Sequence, residues 1–356
     1  MDQVMTNGGQ RGDFDTPGVL ESTRPVVEAG KLVRINQAGL AVIVDKLRAF
    51  RQQEASPDGQ DRQEGPADAF TWYPQYHFFD GTERTVNWLL LLDALNFCFW
   101  AEKGQARWQI EYHGETLGGY WAEAAALTRA VEEGYPVWDA QYLSDLSGED
   151  LAHILRGITA NLPVVIPLFE ERLANAREVG RVLLERYNGQ FANAIKEAGG
   201  SAIRLALLLA EHFPSFHDIA TYRLHEVRFL KRAQICVADV HGAFGGKHWG
   251  NFHDLDRLTV FADYKLPQIL RHSGVLEYHP SLARRIDAME LLAAGSEEEI
   301  EIRAATIWAC ELLRQEMEKQ DGREAITAAE IDARLWLLSQ NIADMRPYHR
   351  VHTIYY

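Results

Sequence analysis

Apolar residues recurring every three to four positions over most of the chain predict a mainly α-helical protein with minor β hairpins. Two short stretches alternate apolar and polar residues instead, and these supply the β structure. The composition, 47% hydrophobic and 24% charged, suits a globular protein with a buried core and not a disordered chain. A length of 356 residues suggests one large domain or two coupled ones.

The elements follow in order. Residues 1–25 are rich in Gly and Asp without periodicity and read as a flexible N-terminal arm. Residues 26–356 read as a single helical unit, with two coupled subdomains as the alternative. A first helix over about Gln37–Arg51 leads into the polar stretch 52–69, a long surface loop. Thr85–Trp100 is apolar almost all round, so it should be a central buried helix. Arg107–Tyr120 alternates around His113-Gly114 and predicts a hairpin of two short strands. Trp121–Glu133, rich in Ala, Leu and Glu, predicts a helix closed by Gly134 and Pro136. Glu170–Tyr187 and Gly200–His212 carry helical spacing, with Gly189 and Pro214 as stops. Tyr222–Phe229 alternates again, as a second small strand. Lys231–Phe244 and Phe261–Gly274 are helical, separated by the turn-rich Gly245–Asp256. After Gly295 a capping box forms from Ser296 and Glu299, ahead of a stripe of Ile302, Ala305, Ala309 and Leu312. A last helix, about Ala328–Leu338, precedes the tail Tyr348–Tyr356.

Charge narrows the partners. A protein that grips nucleic acid needs a basic stripe to neutralise phosphates, so a net charge of −15 argues against a duplex or tRNA partner. A single phosphate, held by two or three local cations, remains compatible. Cys98, Cys236 and Cys310 sit far apart in apolar stretches, as buried thiols of a reducing compartment do; they make neither a disulfide framework nor a zinc site. The start MDQVMTNGGQRGDFDTPG lacks the apolar region of a signal peptide. The longest apolar run, Trp88–Trp100, is interrupted by Asp93 and Asn96 and is too short for a bilayer. The expectation is a cytoplasmic protein with no membrane partner, no metal and no cofactor.

Strong catalytic signatures are missing: no Walker loop, no dinucleotide glycine fingerprint after a strand, no HExxH, no paired CxxC. Gly242-Ala-Phe-Gly245-Gly246-Lys247 has the wrong spacing for a phosphate loop and follows no strand. What remains are polar groups embedded in apolar surroundings. In Thr71–Phe79 (TWYPQYHFF) five aromatic residues surround His77, which suits either a base-stacking platform or a ring-filled core edge with a satisfied histidine. Asp93 and Asn96 lie one helical turn apart in an apolar helix; buried groups of this kind most often cap a neighbouring element. Lys231 and Arg232 open an apolar helix, where two cations oppose the macrodipole. A bound phosphate would relieve that conflict, and so would salt bridges or solvent. Asp263 follows an apolar stretch at a helix start, either as an N-terminal cap or as a functional carboxylate; Asp332, beside Leu335-Trp336, reads as a solvated helix-start acid or a ligand-binding one.

Six strings carry a resemblance: HFFDGTERTVNWLLLLDALNFCFW (77–100), GYWAEAAALTRAVEEGYPV (119–137), FLKRAQICVADV (229–240), LTVFADYKLPQILRHSGVLEY (258–278), GSEEEIEIRAATIWACELL (295–313) and IDARLW (331–336). In order and spacing they resemble the queuosine salvage family of queuosine 5′-phosphate N-glycosidases, from about His77 to Tyr356. The resemblance implies a helical DNA-glycosylase-like architecture and a hydrolase that releases queuine from queuosine 5′-monophosphate for salvage into tRNA modification. It implies that Asp263 is the catalytic carboxylate, as oxocarbenium stabiliser or covalent nucleophile, and that Phe261 and Asp332 bind the base, with His77, Tyr264 and Trp336 also on the substrate. Relatives read D-Y-x-L-W-D at the last string, where this chain has Ala333 and Leu337 in place of an aromatic and a carboxylate.

The implied chemistry suits these residue types. Breaking a ribosyl C–N bond builds positive charge on the sugar, which a carboxylate beneath C1′ stabilises. A 7-deaza base carries carbon in place of N7, so protonation there cannot help it leave, and charge stabilisation carries more of the barrier. Lys231 and Arg232, with the tail around His349, are the expected holders of the 5′-phosphate. A non-catalytic carrier of the free base is the alternative, and a glycosylase acting on nucleic acid is a third reading that the charge disfavours.

Overall fold

The computed structural model describes residues 18–54, 73–159, 162–321, 326–340 and 342–356, and the chain is helical from Val19. Helix α1 (Val19–Ala29) therefore begins inside the stretch expected to be a loose arm over residues 1–25. Its partner explains the difference: Val19, Thr23 and Val26 are buried against the long helix Glu297–Asp321, whose Trp308 indole donates to the Thr23 hydroxyl at 3.0 Å. Residues 1–17 lie outside the described residues. Strand β1 (Val33–Ile35) leads to α2 (Gln37–Glu54), which runs into the expected loop; the remainder of that loop lies outside the described residues, as does Trp72.

Helix α3 (Glu83–Leu95) is the centre of the fold, and every residue from Thr85 to Leu95 is buried. Thr82 caps it by accepting the Arg84 N–H at 3.1 Å. The all-apolar stripe buries itself because α4 (Gly119–Glu132), α7 (Phe169–Tyr187), α8 (Phe191–Glu197) and α10 (Lys231–Ala243) surround it. Between α3 and α4 lies the expected hairpin, β2 (Gln109–Tyr112) paired antiparallel with β3 (Glu115–Gly118). Short helices α5 (Ala140–Ser144) and α6 (Gly148–Ile154) and the hairpin β4 (Gly157–Thr159) with β5 (Leu162–Val164) precede α7. Helix α9 (Ala202–His212) packs on α10. The strand expected at Tyr222–Phe229 is a complete hairpin, β6 (Ile219–Tyr222) with β7 (His225–Arg228), because Arg223 and Leu224 both take positive φ and turn the chain.

The helix expected over Phe261–Gly274 starts later, as α11 (Lys265–His272), and the residues before it form no regular element. Strand β8 (Leu276–Tyr278) pairs antiparallel with β1, and α12 (Pro280–Asp287) follows. Helix α13 (Glu297–Asp321) packs against α1, α2, α11 and α14 (Ala328–Gln340). Its capping box forms one residue early, since the Glu299 carboxylate takes the N–H of Gly295 while the Ser296 hydroxyl accepts that of Glu299 at 3.4 Å. Gly242–Lys247 is the C-terminal turn of α10, with Gly245 and Gly246 at positive φ. Among the described residues no helix is long and apolar enough to cross a membrane.

One close approach yields a stability prediction. Gly180 on α7 lets α5 pass so near that a Cβ would lie 2.3 Å from the Ser144 nitrogen and 2.5 Å from the Ala140 oxygen. Helix propensity alone favours Ala over Gly by about 1 kcal/mol. The clash is with backbone, which cannot rotate away, so Gly180→Ala is expected to destabilise the protein by roughly 1–3 kcal/mol. A urea midpoint that rises in the variant would show that the two helices can part freely.

Candidate active site

A cavity of about 100 Å³ opens where the helices around α3 meet those around α13. Its first wall is the end of α3. The predicted helix Thr85–Trp100 stops at Leu95, and Asn96–Phe99 unwinds with Cys98 at φ 44. A helix C-terminus leaves carbonyls without partners, and two buried guanidiniums supply them here. Arg172 donates to the Leu95 and Phe97 carbonyls and, at 3.3 Å, to that of Cys98. Arg232 donates to the carbonyls of Ala94, Ser215 and, at 3.1 Å, Asp93. The Glu123 carboxylate pairs with Arg172 at 3.0 Å, and both side chains are fully buried. Burial pushes the Glu123 carboxyl up to about 8, with Arg172 opposing.

This arrangement settles the conflict of two cations at a helix start. Arg232 turns toward the negative end of α3, and the Asp218 carboxylate accepts the Lys231 N–H at 3.0 Å at the positive end of α10. Arg232, expected on the phosphate, does not line the cavity: its two terminal nitrogens donate to backbone carbonyls. Lys231 does line it. Its ammonium makes no ion pair or hydrogen bond with any described residue, although carboxylates surround it at longer range. Burial lowers its pKa, and Asp263 and Asp93 push the other way.

The two oxygens of Asp263 stand in different surroundings. Its Oδ1 accepts the N–H groups of Lys265 (2.7 Å) and Leu266 (2.9 Å) and so caps α11. Its Oδ2 has no hydrogen-bond partner among the described residues, and the residue lines the cavity with Lys231. Burial raises the pKa of Asp263, while Lys231 and the two backbone donors hold it down. The segment before it is clamped at several points. Gln234, one turn along α10 from Lys231, accepts the Thr259 N–H at 2.8 Å and donates to the Thr259 hydroxyl at 3.0 Å. The Asp332 Oδ2 accepts the Phe261 N–H at 2.6 Å. Asp332 is therefore neither solvated nor free; burial first and Asp263 second push its carboxyl well above the usual carboxylate range.

Aromatic residues form much of the remaining wall. Tyr120 and Trp121 follow Gly118-Gly119, and a Cβ on Gly119 would meet no atom within 4 Å, so that backbone faces open space. Trp336 meets Trp121 edge-on at 5.6 Å, and Tyr264 lies 4.9 Å from the Tyr348 ring. The His77 segment stands one layer behind. Tyr73, Tyr76 and His77 pack on Trp121 at 4.5, 5.6 and 6.0 Å, and the His77 Nε2 is 2.9 Å from the Tyr120 hydroxyl. Burial pushes the His77 imidazole down to about 4, so it is neutral at physiological pH. The same Tyr120 hydroxyl donates to Asp239 at 3.4 Å. Asp93 is the buried acid of α3; burial and Asp239 raise its pKa, while Lys231, Cys236 and Asn96 oppose.

Of the residues singled out from sequence, Asp263, Lys231, Tyr264 and Trp336 line the cavity together. Phe261 and Asp332 bond to one another behind it, His77 backs Tyr120, and Arg232 and the buried His349 serve the scaffold. Asn96, read from sequence as a structural cap, and Tyr356, in the tail expected near the phosphate, also line it; sequence reasoning missed Phe97, Phe99, Tyr120, Trp121 and Lys265. Only the glycine pair before Tyr120-Trp121 offered a local signal, since paired glycines mark close approach or open space.

Residues 76–356 match the family model described as queuosine salvage protein. The chain is 45% identical over 343 residues to a protein of Sphaerobacter thermophilus named queuosine 5′-phosphate N-glycosylase/hydrolase, covering 96% of this chain and 98% of that one. A mouse protein of the same name is 39% identical over 282 residues (77% and 82% of the two chains), and one of Schizosaccharomyces pombe is 36% identical over 263 residues (72% and 75%). The matched region contains the unwound end of α3, the start of α10 and the Asp263 cap, so the cavity lies inside what is shared, and the chain belongs to the queuosine salvage protein family.

Proposed function

We propose that this protein hydrolyses the N-glycosidic bond of queuosine 5′-monophosphate, releasing queuine. The observation that carries the reading is that Oδ2 of Asp263 and the ammonium of Lys231, neither hydrogen-bonded to any described residue, line one cavity. A buried polar group without a hydrogen-bond partner is costly unless a ligand supplies one. A ribosyl phosphate supplies both complements, an anion for Lys231 and a developing cation for Asp263.

In this reading the C1′–N bond breaks with its electron pair leaving on the base, and the sugar becomes oxocarbenium-like. Asp263 faces that charge. At ~4 Å and an effective dielectric of ~20 the attraction is ~4 kcal/mol, about three orders of magnitude in rate. Water adds to C1′, its spare proton leaves, and the base takes up one proton in its place. Tyr120, Trp121, Tyr264 and Trp336 pack on the base and ribose, with Phe261 and Asp332 shaping the pocket from behind and His77 holding Tyr120 in place. Lys231 holds the 5′-phosphate, and Arg232 is withdrawn from that role. The net charge of −15 supports a small substrate over nucleic acid.

Incubating the protein with queuosine 5′-monophosphate and following the mixture by mass spectrometry is expected to show free queuine and ribose 5-phosphate accumulating over many turnovers. Nucleotide returned intact, with free queuine binding tightly, would replace the enzyme with a carrier of the base.

A further inference from the structure

Lys231 and Asp263 come from different elements, yet a buried ion pair outside the cavity joins their backbones. Asp218, just before β6, accepts the Lys231 N–H on Oδ2 at 3.0 Å, and its carbonyl oxygen accepts those of Phe229 (3.0 Å) and Leu230 (3.2 Å). Three successive N–H groups thus converge on one residue. They hold Leu230 at φ 51, in the left-handed region, and fix where α10 begins. Arg303, on α13, places both terminal nitrogens on the Asp218 carboxylate at 2.8 and 2.6 Å. Its Nε donates to the carbonyl of Ala262, the residue before Asp263, at 3.0 Å. The rings of Phe229 and Tyr356 cover the guanidinium at 3.9 and 4.4 Å. Both charged side chains are almost wholly buried, at 2% and 3% exposure.

We propose that Asp218 and Arg303 are a positioning pair that sets the separation between the Lys231 ammonium and the Asp263 carboxylate. The inference rests on the reading of those two groups as the ones that meet the substrate. A buried ion pair is a weak source of stability, and apolar residues of similar volume often do as well. No apolar pair, however, can accept the Lys231 N–H and donate to the Ala262 carbonyl at once. The clasp of Gln234 on Thr259 leaves three residues between it and Asp263, whereas Arg303 grips its immediate neighbour. A planar guanidinium is required for this, since only its fork serves a carboxylate bidentately while a third nitrogen points elsewhere.

Arg303→Lys keeps the charge and loses the third link. In the folded variant kcat for base release is expected to fall about 10²-fold, the loss that a ~1 Å misplacement produces, with KM for the nucleotide changed less than 3-fold. Asp218→Asn keeps an acceptor for the Lys231 N–H and loses the ionic fork; a fall of at least 10-fold in kcat is expected there. Circular dichroism fixes the folded fraction, and rates are taken per folded molecule well below each melting temperature. If one variant does not fold, the other decides. Lowered melting with wild-type kcat per folded molecule would make the pair purely structural and overturn the proposal. Wild-type turnover measured alongside separates this result from the reading beneath it: a wild-type protein that releases no base overturns both, whereas wild-type release with unchanged variants overturns the pair alone.

Discussion

Asp263→Asn is expected to lower kcat for queuine release by about three orders of magnitude while leaving folding and nucleotide binding nearly intact. The rate loss follows from the ~4 kcal/mol of attraction between a carboxylate and the developing sugar cation. The preserved fold follows from the division of labour within the side chain. Oδ1 accepts the N–H groups of Lys265 and Leu266, and a carboxamide oxygen accepts them too. Asparagine is as good a helix cap as aspartate, so α11 keeps its start. Asp263→Ala removes both tasks and should cost a further 0.5–2 kcal/mol of stability on top of the same rate loss. Measured together, the two variants separate charge from capping: Asn is slow and stable, Ala slow and less stable. A wild-type rate in Asp263→Asn would take the charge out of the mechanism, whatever its stability.

The sequence carried Asp263 in two forms, as a cap and as a functional carboxylate, and framed them as rivals. The structure gives Oδ1 to the cap and leaves Oδ2 without a hydrogen bond from any described residue, so capping does not use up the side chain, which no pattern of residue types can reveal. Helix α3 was legible as far as Leu95 because its burial is written in its own composition. The break at Asn96 was not, because the groups that compete for its carbonyls, Arg172 and Arg232, lie far along the chain. The same distance explains Arg232. Sequence shows a cation placed badly at the start of α10 and hides the negative end of α3 beside it. Tyr120 and Trp121 stood in plain view but looked like the opening of an ordinary helix. The Asp218–Arg303 pair, 85 residues apart, had no local signal at all. Long, strongly periodic helices were read well, whereas the long-range contacts that assemble the cavity were not.

Lys231→Met should weaken queuosine 5′-monophosphate far more than the corresponding nucleoside, and should also move the acid limb of the pH profile. The first effect is loss of a buried cation facing a phosphate, expected to cost about 2–3 kcal/mol, roughly 10²-fold in kcat/KM. The nucleoside lacks the phosphate and loses only what the ammonium contributes through Asp263. The second effect has a definite sign. Asp263 works as a carboxylate; burial raises its pKa, and Lys231 is the first of the groups that oppose this, ahead of the N–H groups of Leu266 and Lys265 and the Lys265 ammonium. Without Lys231 the pKa rises further, a larger fraction of Asp263 is protonated at any given acidic pH, and the limb shifts toward higher pH. Asp332 and Asp239 also lose a stabilising cation and hold their protons to higher pH. Lys231→Arg separates the two effects, because it retains the charge that governs Asp263 while changing the geometry offered to the phosphate. Its acid limb should stay near that of the wild type even where KM rises. A Lys231→Met profile superimposable on the wild type would mean that the ammonium does not govern Asp263, and an equal loss for nucleotide and nucleoside would take the phosphate away from it.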